Sequence, residues 1–205
     1  MSKKKIKERQ NPGWAIRMLE LFSSLKEYVE GGDRVAVVLG VARLDVALER
    51  ILVGFLTSKD KAQKELFSAG RVLSSFSAKI DLLFYLGLIS NDFQKVLHLV
   101  RKIRNDAAHN HYPFSLDSES QTDRVNELQK LISPFFNFDE IAETFKLSKF
   151  KNDALSFRCA LLALSFKLDD INRAVYKYKS GFNLGLLLNE NDKFEMECPT
   201  ELQRT

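Results

Sequence analysis

RVAVVLGVARLDVALERILVGFL, residues 34–56, is the stretch on which the fold class turns. Its first part, Arg34 to Val41, is valine-rich and taken alone would suit a strand as well as a helix. It continues without a break into Val46, Leu48, Ile51, Leu52 and Phe55, whose spacing is helical. Val35, Val38, Leu39 and Ala42 add further apolar sides, so this helix belongs at the centre of a bundle. Asp33 stands where an N-cap is wanted.

The same period holds on both sides of this stretch. A helix is expected from about Pro12 to Glu30, with Trp14, Met18, Leu21, Phe22, Leu25 and Val29 on one face and Gly31-Gly32 as its stop. Thr57 to Lys64 reads as a polar connection. Two serines, Ser74 and Ser75, then cap a helix that stops at Gly87, and Ser90 caps another through Phe93, Val96, Leu97, Val100, Ile103 and Ala107. That helix ends at His111-Tyr112-Pro113, because proline disfavours helix in the residue before it. After a polar loop, helices are expected at about Thr122 to Ser133, Asp139 to Phe145 and Asn152 to Tyr178. No segment alternates with the period of a strand and there is no repeat. The fold class is all-α, a single-domain helical bundle over residues 12–188, between a flexible basic tail at 1–11 and an acidic tail at 189–205.

Charge and cysteine usage narrow the function. The net charge is +4, but residues 1–9 hold five of the 31 basic residues and one of the 27 acidic ones, which leaves twenty-six of each for the rest. A folded nucleic-acid-binding domain usually spreads a basic face over its body, so direct DNA binding is not favoured. Cys159 and Cys198 are too far apart for a metal motif, and Cys159, inside an apolar helical run, reads as core. Asp45 and Glu49 fall four apart and Asp106 precedes His109 by three, yet a di-iron bundle needs two Glu-x-x-His motifs. His109-x-His111 lacks a third ligand. No metal and no cofactor are expected; Asp45 and Glu49 should pair with Arg43, Arg50 or an arginine of the later helix. No apolar run is long enough to span a membrane and no apolar stretch follows the first lysines, so the expected compartment is the cytoplasm.

The most informative stretch is Arg101 to His109, RKIRNDAAH. Arg104 and His109 have the spacing R-x4-H, with Asn105 directly after the arginine. On a helix Asn105 and His109 share a face with Arg101 and His98, while Arg104 lies roughly 100° around. A cation, an amide and an imidazole converging at a helix end would suit a phosphate, with histidine moving protons near neutral pH and arginine stabilising developing negative charge. The structural alternative makes Lys79, Asp81, Arg101, Arg104 and Asp106 a polar cluster between two packed helices, with Asn105 bonded to a helix end and His109 packed beneath. The turn Gly87 to Ser90, followed by Asn91, Gln94 and Lys95, is a candidate helix-turn-helix, although Asp92 would repel phosphate.

R-N-x-x-x-H at a helix end resembles the signature of HEPN domains, all-helical modules that include metal-independent endoribonucleases working as homodimers. A longer match, Leu73 to Asp81, Leu86 to Ser90 and Leu97 to His109, resembles the mannitol operon repressor family. Leu39-Gly40 through Phe55-Leu56 and Phe157-Arg158-Cys159 fit it too, over about residues 30–170. Ala107 departs from the aromatic residue that this family usually has there. The resemblance implies a bacterial, all-helical, cytoplasmic transcription regulator and repressor; the neutral body makes action through a protein partner the expectation, with room for a homodimer. No catalytic residue is expected on that reading. The alternative is a HEPN-type ribonuclease with Arg104, Asn105 and His109 as its catalytic set and RNA as its partner.

Overall fold

The computed structural model describes residues 30–56, 65–109 and 113–181 apart from 135, 145 and 148. The described residues are all-α, with helices α1 (Asp33–Phe55), α2 (Phe76–Tyr85), α3 (Asn91–His109), α4 (Glu119–Ile132), α5 (Phe138–Thr144) and α6 (Asn152–Gly181). The valine-rich run 34–41 is helix, continuous with the rest of α1. The expected helix over 12–30, the connection 57–64 and the two tails lie outside the described residues, save that Glu30 is helical.

Local chemistry fixes most boundaries. Ser75 Oγ accepts from Ala78 N–H at 3.1 Å at the start of α2, and Ser90 Oγ accepts from Phe93 N–H at 3.3 Å at the start of α3. Gly87, between them, has φ +69°, a left-handed conformation that glycine adopts without strain. Asp33 does not cap α1. Gly32 takes the cap position in extended conformation, and the Asp33 carboxylate is turned to other partners. α4 begins at Glu119, earlier than its apolar spacing suggests, since Ser118 takes the cap position in extended conformation.

α1 packs against α2, α3 and α6, the many-sided placement its composition demands. Gly40 permits the closest approach: a Cβ there would come within 2.5 Å of Leu161 Cδ2 on α6. α6 is the more enclosed of the two, buried without interruption from Phe157 to Phe166 and packed against α1, α4 and α5. α1 keeps one face open, where Val35, Leu39, Val46 and Val53 are each about 40% exposed. No helix among the described residues is long and apolar enough to cross a membrane.

Candidate functional site

The charged residues near RKIRNDAAH do not form one cluster. They divide into three ion-paired groups, each joining two helices, and a remainder on the last turns of α3. The first group is centred on Lys79 of α2, whose side chain is 4% exposed. Its Nζ lies 2.8 Å from Glu49 Oε2 and 3.0 Å from Asp45 Oδ1, both on α1, and 5.9 Å from the Phe67 ring centre. Burial alone would lower this ammonium's pKa, but the two carboxylates outweigh burial and hold it above the ordinary lysine value. Asp45 and Glu49 therefore find a lysine from α2 rather than the arginines expected from sequence, because α2 crosses α1 over that turn.

The second group lies between α2 and α3. Asp81 Oδ1 is 2.9 Å from His98 Nε2 and accepts from Gln94 Nε2 at 2.9 Å. Burial pushes the Asp81 carboxyl up, while His98, Gln94 and the charge of Arg101 together bring it below the usual carboxylate range. His98 Nδ1 and Arg101 Nε are buried and have no hydrogen-bond partner.

The third group joins α3 to α4. Asp106 Oδ2 accepts from Gln121 Nε2 at 2.9 Å and pairs with Arg124, and Gln121 is 3% exposed. Here too burial raises the carboxyl, and Gln121 and Arg124 reverse that to leave it lowered.

Arg104 and Asn105 are half-buried and His109 is exposed. None of the three side chains is hydrogen-bonded or ion-paired among the described residues, and neither Asp81 nor Asp106 holds Arg104. His109 is not packed beneath Arg104. Five residues of helix separate the two by about 7.5 Å along the axis and roughly 140° around it, so they diverge from α3. Ala107, next to them, is fully buried and its carbonyl accepts from Arg34 Nη1, a cation on the C-terminal end of α3. Two hollows open between α1 and α6, and neither is lined by Arg104, Asn105 or His109. Among the described residues, no three of His, Cys, Asp and Glu converge in a way that could hold a metal.

One further charged site escaped the sequence reading. Arg158 of α6 is fully buried, its guanidinium donating to Asp33 Oδ1 at 3.0 Å, Gly31 O at 2.8 Å and Ala154 O at 2.8 Å. It lies 3.7 Å from the Phe150 ring centre. Asp33 Oδ2 accepts from Leu116 N–H at 2.9 Å, and Asp117 caps α6 by accepting from Asp153 and Ala154 N–H. Burial pulls the Arg158 pKa down, against Asp33 and Asp117, which raise it. The available signal was an arginine within an apolar run, Leu155 to Leu164, where a charge has to be partnered.

The family described as "Domain of unknown function (DUF4145)" matches residues 39–156, more than half of the chain. The chain belongs to that family. No curated protein and no solved structure matches it. The matched span runs from within α1 to the first turns of α6, so it contains all three ion-paired groups and RKIRNDAAH but not Arg158 or Asp33.

Proposed function

We propose that this protein is a non-enzymatic transcription regulator, similar to the mannitol operon repressor, that acts through contact with a protein partner rather than by reading an operator. The observation that carries the second half is the state of the side chains that a helix-turn-helix would use. Gln94, at the start of α3, is tied to Asp81 at 2.9 Å, and Lys95 pairs with Asp92 at 3.0 Å. A base-reading helix needs such groups free at its exposed N-terminal turns, and needs phosphate-binding cations near them. The first half rests on the resemblance of Leu73 to Asp81 and Leu97 to His109. The cytoplasm is the compartment this reading requires.

The test pairs a genetic and a biochemical measurement. Loss of the protein is expected to change transcripts for uptake and use of a sugar alcohol, while the purified protein alone leaves the corresponding promoter DNA unshifted. Tight, salt-sensitive binding to that promoter would refute action through a partner.

The second reading, a HEPN-type ribonuclease acting as a homodimer on RNA in the cytoplasm, draws on Arg104, Asn105 and His109 having no described partner at the end of α3. Cleavage of a cellular RNA pool by the wild type but not by His109→Ala would establish it in place of the first.

A further inference from the structure

The two hollows between α1 and α6 share three residues, Val46, Arg50 and Asn172, which therefore stand where the hollows meet. The larger, of about 770 Å³, has Glu49 on its α1 side and Tyr176 on its α6 side. The smaller, of about 70 Å³, has Ala47, Leu168 and Asp169 in its walls. Both acids are already engaged. Glu49 Oε2 lies 2.8 Å from Lys79 Nζ, and Asp169 Oδ2 lies 3.0 Å from Arg173 Nη2. Each of these cations also holds a second acid, Asp45 or Asp170, so neither group is completed by Arg50.

Arg50 is exposed, and its side chain has no ion pair and no hydrogen bond among the described residues. The same holds for the hydrogen bonds of Asn172, which is half-buried, and of Tyr176, which is 72% exposed. Asn172 Oδ1 lies 3.9 Å from where a Cβ would stand on Gly54, which places that amide against α1. A guanidinium, an amide and a phenol from two helices thus line one hollow with their hydrogen-bonding capacity unspent. The other arginines that join helices, Arg124 and Arg158, are by contrast ion-paired.

We propose that the hollows bind a small organic anion, an oxyanion joined to a short apolar group. The oxyanion belongs on Arg50, because a guanidinium takes a carboxylate or a phosphate by two parallel hydrogen bonds. Asn172 adds a donor from the opposite helix. The apolar group belongs in the smaller hollow, where Val46, Ala47 and Leu168 surround a volume that suits a chain of a few carbons. The larger volume, about 770 Å³, lies in the range of small-molecule sites, which set a few convergent polar groups on an apolar surface. The inference is independent of the regulator reading.

The test is a titration of the full-length protein, followed by the methyl resonances of Val46 and Leu168 and the side-chain amide of Asn172. Butyrate and butyl phosphate are the anionic probes, and 1-butanol and inorganic phosphate each supply one half of the ligand. At least one anionic probe is expected to move all three sets of signals and to saturate by about 10 mM. A response to butyrate alone assigns a carboxylate, and a response to butyl phosphate alone assigns a phosphate ester. Each half by itself should bind at least about tenfold more weakly. Arg50→Met should weaken binding by about tenfold or more while the core methyl signals stay in place, and Arg50→Lys should keep part of it.

No movement with either anion at about 10 mM, or equal binding by Arg50→Met, overturns the proposal. So does inorganic phosphate binding as tightly as butyl phosphate, which means an adventitious ion only. Equal binding of 1-butanol leaves the guanidinium without a role and overturns it too.

Discussion

Replacing Arg158 by methionine removes a guanidinium that ties the start of α1 to α6. The side chain is fully buried, and its loss leaves Asp33 Oδ1 and Gly31 O without the donors that lie 3.0 and 2.8 Å away. Ala154 O is less affected, because the backbone N–H four residues on in α6 still reaches it. Removing one partner of a buried ion pair costs roughly 3–5 kcal/mol. Asp33 is 19% exposed and keeps the Leu116 N–H, which places the expected loss at the lower end, about 3 kcal/mol. With a urea slope of about 2 kcal/mol/M, the unfolding midpoint should fall by about 1.5 M. Arg158→Lys should recover part of this, since an ammonium keeps the charge but not the fork that reaches both Asp33 and Gly31. Asp33→Asn combined with Arg158→Met should cost clearly less than the two single losses together, by about 2 kcal/mol. A midpoint within about 0.5 M of wild type for Arg158→Met, or strict additivity in the double variant, would refute this account.

Lys79→Met should lower stability at neutral pH by about 2–3 kcal/mol, since it leaves Asp45 and Glu49 adjacent without their cation. The Lys79 pKa is raised, so its contribution is complete below the ordinary lysine value of about 10.4. The difference between Lys79→Met and wild type should therefore shrink in alkaline unfolding curves. Asp106 behaves in the opposite sense. Its carboxyl is lowered, so its pairing with Gln121 and Arg124 stabilises above about pH 3.9 and is lost as the pH falls below that. Asp106→Asn should accordingly be destabilising in urea titrations at pH 7 and close to neutral in acid. Gly40→Val drives two methyl groups toward Leu161 and should cost about 1–3 kcal/mol, read as a drop in melting temperature. An unchanged melting point would show that α1 and α6 separate more easily than their packing implies.

The elements were legible because each carries its own punctuation. Ser75, Ser90 and Gly87 mark starts and stops by hydrogen bonds and backbone freedom that act within a few residues. The helical spacing after Val41 decided the one ambiguous run for the same reason. What sequence does not encode locally is the choice of partner. Asp45 and Glu49 had arginines nearby, yet took Lys79, because only tertiary packing decides which cation is buried against them. Asp33 illustrates this from the other side: its position suited a cap, and its carboxylate instead joins Arg158 and Leu116. The residues of RKIRNDAAH were readable as a set but not as a site. Arg104 and His109 diverge by simple helix geometry, whereas the pairing of Asp106 with α4 depends on how that helix docks.

Arg158 and Asp33 are 125 positions apart in the chain, and the helices they lie on are each other's main support. During synthesis α1 leaves the ribosome long before α6 exists. At roughly 5–20 residues per second the interval is about 6–25 s, and throughout it the inner side of α1 has only its nearer neighbours to cover it. The Asp33 carboxylate waits as long for its guanidinium. The nascent protein therefore stays open to proteolysis or aggregation until α6 has been made, and early termination before Arg158 would release a chain that cannot close.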